Sequence, residues 1–463
     1  RNPSELTMNY FSYHAPQAKA LLPPATANLS VCLKKQDKRT QQWVKTHGFE
    51  ALPQTSLLVP DPSGNVAMVL VGVDVKPSIW SLAHLPATLP TGHYFIDAKW
   101  KPELIAQTAL GFALAQYQFG RYKKLLNKTL TLQLPKAIDI EFLEAKRAAV
   151  CLVRDLINTP ANDMGTAALS KAAKAMAKRV GAKFSEIVGD DLLSKNYPAI
   201  HAVGRAGPDA PRLIDITHGK ASHPLVVLVG KGVTFDTGGL DIKPYASMKL
   251  MKKDMGGAAL VLGLAEAIIA AKLPIRLRVL IPAVENSIDR NAFRPQDVIQ
   301  SRKGLTIEIG STDAEGRLIL ADALTEGDRD KPALMIDVAT LTGAARTALG
   351  TELPALYSNR EDVARDILKA AMATNDPMWQ MPLWQGYAKY VNSPIADVTN
   401  TPNYGFAGSI TAALFLERFV SPTTPWVHID SYAWNAESQP GRPIGGEALG
   451  LRALLAYLQR RFQ

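Results

Sequence analysis

The 463-residue sequence predicts an α/β protein of two domains, a smaller amino-terminal α/β domain and a larger α/β/α domain with a mostly parallel central sheet. Three observations lead there. The chain is too long for one ordinary hydrophobic core. Short, nearly all-apolar runs alternate with helical patterns through its last two thirds. Between the two regions lies one long amphipathic stretch, AIDIEFLEAKRAAVCLVRDLIN (137–158).

Residues 1–130 mix strand-like runs such as NVAMVLVGVD (65–74) with Pro-rich turns, and one helix is expected over 102–123. In 137–158, Ile138, Phe142, Ala145, Ala149, Leu152 and Leu156 recur at three- and four-residue spacing, which marks one buried helix face. Asn158, Thr159 and Pro160 end that helix. The expected division is therefore a first domain over 1–135, a connecting helix over 136–160 and a second domain over 161–463. In the second domain, PLVVLVG (224–230), LRVLIPAV (277–284), ALMIDVA (333–339) and WVHID (426–430) read as strands buried on both faces. Helical patterns at 164–180, 256–272, 315–327, 361–374 and 408–420 separate them. That rhythm gives a parallel sheet with helices on both sides, whose functional loops leave the carboxyl ends of the strands.

Composition narrows the functional classes. The chain carries 52 Lys and Arg against 42 Asp and Glu, a net charge of +10. Residues 1–150 hold 17 basic and 10 acidic side chains, so +7 of the excess lies there. This permits DNA as a secondary partner, although general solubility also accounts for it. Cys32 and Cys151 stand far apart, which excludes a disulfide scaffold and a Cys-based zinc site. The opening RNPSELTMNY has no apolar leader core and no initiator Met, so the numbering is expected to start inside a longer chain. The longest apolar stretch, 258–271, contains Glu266 and is too short to span a bilayer, so a core helix is expected and no membrane partner.

Chemistry concentrates in three blocks. After the strand PLVVLVG come Lys231 and Asp236 in KGVTFDTGG, followed by Lys243; Asp254 precedes a Gly-Gly that opens a helix. The Walker pattern is not met here. The octapeptide STDAEGRL (311–318) adds Asp313, Glu315 and Arg317. Two readings of it are open. Ser311, Thr312 or Asp313 caps a helix, or the i, i+2 carboxylates point the same way from an extended loop and grip one ion. Asp236, Asp254, Asp313 and Glu315 are all expected in loops near strand ends. Four converging carboxylates repel one another, and two divalent cations would cancel that charge. None of the eight histidines falls in these loops, and no G-x-S-x-G is present.

VGKGVTFDTGGLDIKP (229–244), KKDMGGAA (252–259) and STDAEGRL (311–318) resemble the three signature blocks of the cytosol (leucyl) aminopeptidase family. RDLINTPAND (154–163), IPAVEN (281–286), ATLTGA (339–344) and SITAALFL (409–416) support the resemblance, which covers about residues 150–445. It implies a catalytic metallopeptidase domain, cytoplasmic, that releases leucine or another hydrophobic residue from the amino end of short peptides. Two divalent ions, zinc or manganese, would lie among Lys231, Asp236, Asp254, Asp313 and Glu315. Lys231 would serve as a neutral amine, its pKa lowered by the adjacent cation.

By the same resemblance, Lys243 would polarise the substrate carbonyl, and Arg317 would seat a bicarbonate ion acting as general base. Met251, Thr340, Leu341 and Gly343 would line the pocket for the first residue. The family's hexameric assembly is expected too. Two departures from its usual wording are Thr237 where Ser is typical and Ser311 where Asn is typical.

Overall fold

The computed structural model describes residues 9–125 and 128–463. Residues 1–8, most of the segment in which no leader core was found, lie outside the described residues. The chain forms two compact units, one running to Cys151 and including Glu437–Ile444, the other comprising Leu152–Ala436 and Gly445–Gln463. The amphipathic stretch forms helix Ile140–Asn158, and the division falls within it.

The first unit carries β1 (Phe11–Ser12), β2 (Lys19–Leu22), β3 (Ser56–Pro60), β4 (Val66–Val71), β5 (Gly92–Ile96) and β6 (Leu130–Gln133), in the order β1-β6-β5-β2-β4-β3. All neighbours run parallel except the β3–β4 pair. The helix expected over 102–123 stops at Leu114. Beyond it, the Gln116 amide donates to Leu130 O at 3.0 Å and its carbonyl accepts from Leu130 N at 2.8 Å. Those two bonds fasten the chain to β6 instead of continuing the helix.

The second unit is built on a nine-stranded sheet. Its members are β7 (Lys183–Val188), β8 (Arg212–His218), β9 (Leu225–Gly230), β10 (Gly232–Asp236), β11 (Arg276–Asn286), β14 (Leu334–Ala339), β15 (Ala355–Ser358), β16 (Trp379–Gln380) and β18 (Trp426–Asp430). A side sheet joins β12 (Val298–Gln300), β13 (Thr306–Glu308) and β17 (Val398–Thr399). The centre β18-β14-β9-β11 is parallel, and antiparallel pairs occur toward both edges. Strands β9, β14 and β18 are buried along their whole length; β9 is wholly apolar, whereas β14 and β18 also bury Asp337, His428 and Asp430. On one face, Val227, Val229 and Leu280 pack with Leu320 and Leu324 of helix Glu315–Asp328 and Phe415 of helix Gly408–Glu417. Helix Gly256–Ala270 is buried from Gly256 to Ile268, and Glu266 is held there by Arg179 at 2.9 Å. Among the described residues no helix is long and apolar enough to cross a membrane.

The sheet breaks between β9 and β10, and this break positions the site. Lys231 N donates to Val338 O of β14 at 3.0 Å, and Lys231 O accepts from Ala258 N at 2.9 Å. The start of helix Gly256–Ala270 therefore presses on two strands at once. A Cβ at Gly257 would lie 2.0 Å from Val338 O, so only glycine fits this approach.

Candidate metal centre

Lys231 points from the strand break into a closed group of carboxylates. Its ammonium lies 2.7 Å from Asp254 Oδ2 and 3.0 Å from Glu315 Oε1, and it donates to Thr340 O at 2.9 Å. Asp254 sits on the short turn Met251–Met255 that feeds helix Gly256–Ala270. Thr340 Oγ donates to both Asp254 O and Asp254 Oδ1, at 2.9 and 2.7 Å. Gly316 leaves the space for Lys231, since a Cβ there would meet Lys231 Cε at 2.5 Å. All three charged groups are buried.

A second lysine bridges the outer side. Lys243 Nζ lies 2.9 Å from Asp236 Oδ2 and 2.5 Å from Asp313 Oδ1. Asp236 is the last residue of β10, and Asn286 at the end of neighbouring β11 donates to its Oδ1 at 2.8 Å. The same amide lies 3.3 Å from Glu315 Oε2 and so links the inner and outer groups. Carboxylate oxygens of Asp236, Asp313 and Glu315 lie within 4.8 Å of one another.

The octapeptide departs from both sequence readings of its backbone. Its helix starts at Glu315 with Ala314 as cap residue and no capping side chain. Glu315 is thus a first-turn residue and not part of an extended loop, while Asp313 lies in the preceding turn. Convergence is achieved by the turn at Ala314 (φ −106°, ψ 40°), which lets both side chains reach Asp236. Distant residues hold that turn. Parallel pairing of β13 with β17 brings Asn400 alongside, where its carbonyl accepts from Gly310 N and its amide donates to Ser311 O. Asp241 accepts from Thr312 N at 2.7 Å. Ser311 Oγ accepts from Asp313 N at 3.1 Å, and Thr237 Oγ donates to Asn286 O at 2.9 Å. The two unusual residues therefore buttress Asp313 and Asn286 locally.

Burial and crowding set the electrostatics. Burial, then repulsion from Asp236, pushes Glu315 up to about 8. Asp236 is raised by burial and by Asp254. For Lys231, burial pulls the pKa down, but Asp254, Glu315 and Asp236 outweigh it and the net shift is upward. The lowering expected for a neutral amine belongs to a cation's field; the protein alone drives this group the other way. Burial lowers Arg317 to about 10.

A cavity of about 470 Å³ opens over these groups. Lys231, Asp236, Lys243, Asp254, Asp313 and Arg317 line it, as do Met251, Thr340, Leu341 and Gly343; Glu315 lies beneath the lining. Arg317 Nη1 donates to Asn400 O at 2.6 Å, while its buried Nε has no partner. No carboxylate pairs with this guanidinium among the described residues. Behind the wall, Asp430 accepts from Leu341 N and Thr342 Oγ, which fixes the loop that follows β14. Asn286, Asn400, Asp241 and Asp430 were not singled out as site residues. IPAVEN and WVHID contained two of them, but no spacing rule joins partners so far apart in sequence.

The donor set fits divalent cations. Four carboxylates face two ammonium groups, which leaves net negative charge in a mostly buried site. Asp254 Oδ2 is buried and faces the Lys231 ammonium at 2.7 Å. Oxygen donors with one amine suit hard or borderline metals.

The chain matches known proteins in sequence and in fold. The profile described as "Cytosol aminopeptidase family, catalytic domain" matches residues 151–455, and that of the "M17 aminopeptidase, N-terminal domain" matches 21–135. The chain is 39% identical to a probable cytosol aminopeptidase of Syntrophotalea carbinolica over 85% of this chain and 80% of that protein. The crystal structure of the cytosol aminopeptidase from Coxiella burnetii superposes with a TM-score of 0.95 at 46% identity, covering 99% of this chain and 100% of that one. The bottromycin maturation enzyme BotP, solved in complex with Mn, gives 0.87 at 30% identity over 96% and 100%.

Proposed function

The chain belongs to the cytosol aminopeptidase family, and we propose that it is a cytoplasmic, two-metal enzyme that removes leucine or another hydrophobic residue from the amino end of short peptides. The observation that carries this is the convergence of Asp236, Asp313 and Glu315 within 4.8 Å, beside the Lys231–Asp254 pair. Lys231, Asp236, Asp254, Asp313 and Glu315 are the residues that would hold two divalent ions. Manganese or zinc is the expected occupant, in keeping with the Mn complex of the BotP relative. When bound, such ions supply Lewis acidity and a water acidic enough to attack at neutral pH.

The chain's own residues do the rest. Lys243 is fixed between Asp236 and Asp313 and faces the cavity. Its ammonium would stabilise the negative charge that develops on the scissile carbonyl oxygen. Arg317, whose guanidinium has no carboxylate partner among the described residues, would offer it to an anion, for which bicarbonate is the proposed occupant and general base. Met251, Thr340, Leu341 and Gly343 line the cavity and would border the space for the first side chain. A homohexamer with enclosed sites extends this reading and would restrict entry to short peptides; mass measurement in solution tests it.

Chelation should abolish hydrolysis of leucinamide, and manganese or zinc should restore it. Glu315→Ala should abolish turnover while circular dichroism stays native. Undiminished activity after thorough chelation would remove the two-metal reading.

A further inference from the structure

Beside the cavity over the carboxylates lies an exposed aromatic loop that the chemistry so far leaves unused. Thr401 and Gly408 both line the cavity, and the loop between them carries Tyr404 and Phe406. Phe406 is two residues from Gly408, so its Cα lies within about 7 Å of a cavity-lining Cα. A Cβ placed on Gly408 would meet Ala344 Cβ at 3.3 Å, and Arg317 bonds the Asn400 carbonyl just before Thr401. The loop is therefore tied at one end beside Arg317 and at the other beside the Gly343 wall.

Its aromatic rings form a braced surface. Tyr404 stacks on Tyr390 with centroids 4.0 Å apart and planes 4° from parallel, and Tyr387 lies 5.9 Å away. Phe406 meets Tyr404 edge-on at 5.7 Å and is 73% exposed. Ala407, which joins Phe406 to the following helix, is held at φ 54°, a left-handed conformation that alanine rarely adopts. Loop 238–248 supplies a second exposed apolar group at the mouth, Ile242 and Tyr245, of which Ile242 lines the cavity.

We propose that Phe406, backed by Tyr404, is a specificity-determining contact for the side chains that follow the scissile bond of a peptide substrate, favouring aromatic residues there. This rests on the aminopeptidase reading. The occupant is argued from continuity with the cavity. The first residue and its amide would sit over the carboxylates, and the remainder of a longer peptide must leave across the rim, where Ile242 and the Phe406 ring are exposed alongside the charged Asp241 and Arg346. An aromatic side chain lying on Phe406 covers its exposed face and gains the offset or edge contacts that rings favour.

The test compares kcat/KM for Leu-Gly-Gly, Leu-Phe-Gly, Leu-Gly-Phe and leucinamide in the metal-loaded full-length enzyme. At least one Phe-containing peptide should exceed Leu-Gly-Gly. Its ratio to leucinamide should fall about three- to tenfold in Phe406→Ala, the size of one aromatic contact. Phe406→Tyr should keep the ratio, and Tyr404→Ala should lower it by a smaller factor. No aromatic preference in the unmodified enzyme, or a ratio unchanged in Phe406→Ala because all substrates fall together, overturns the proposal. Failure to cleave leucinamide at all removes the aminopeptidase reading, and this contact with it.

Discussion

Lys231 and Lys243 each bridge two carboxylates, yet one bridge is sealed and the other opens to solvent. Lys231, Asp254 and Glu315 are at most 4% exposed by side chain, and the lysine is also bound to the Thr340 carbonyl. Around Lys243, Asp313 is 38% exposed, and the lysine itself extends from a loop with no regular structure. In the inner bridge, geometry is imposed by a strand break, a helix start and glycines whose Cβ positions are filled. In the outer bridge Asp236 is fixed by the end of β10 and the Asn286 amide, while Asp313 rests on its ion pair and the turn at Ser311–Ala314. A rigid inner half suits the holding of an ion; a reachable outer ammonium suits contact with substrate.

The comparison breaks most visibly at Lys231. Lys231→Met leaves Asp254 and Glu315 buried without their counter-charge, which should cost about 3–5 kcal/mol in metal-free protein. Urea unfolding measures it, and loading with manganese should recover part of the loss because a ligand bound only to the folded state stabilises it. Lys243→Met should separate function from stability. It is expected to lower kcat by about 10²–10³-fold while costing less stability than Lys231→Met, since Asp313 can turn to water and buried Asp236 keeps the Asn286 amide. Comparable stability losses for both variants would erase the distinction.

Much of this site was legible in sequence because its chemistry sits in short blocks at strand ends. Lys231 and Asp236 follow an all-apolar run, Asp254 precedes a Gly-Gly, and Asp313 and Glu315 share one octapeptide. The local backbone was less legible. STDAEGRL contains three side chains suited to capping, yet Asn400, 86 residues beyond Ala314, holds its turn instead. Helix 102–114 ends early because Gln116 pairs with Leu130, a contact that propensity does not contain. The return of Glu437–Ile444 to the first unit likewise depends on tertiary contacts with no periodic signal.

A smaller effect sharpens the contrast from outside the site. His428 on β18 is buried, with Nδ1 2.6 Å from Asp337 Oδ1 and Nε2 without a partner among the described residues. Burial opposes its charge, but Asp337 outweighs burial and raises its pKa above the usual 6.5. The ion pair therefore stabilises fully below about pH 6.5 and its contribution is lost as pH rises through the raised folded value. His428→Gln should cost about 1–3 kcal/mol at pH 6 and less at alkaline pH. A difference from the unmodified protein that does not shrink with pH contradicts the charged assignment.

In the two-metal reading, the carboxylates around Lys231 and Lys243 together hold two divalent cations. Metal content per chain measures this directly, by elemental analysis after manganese loading and gel filtration. Two equivalents are expected in the unmodified protein, with fewer than two in Asp236→Asn. A single equivalent or none at saturation, or two equivalents undiminished in Asp236→Asn, would contradict the account.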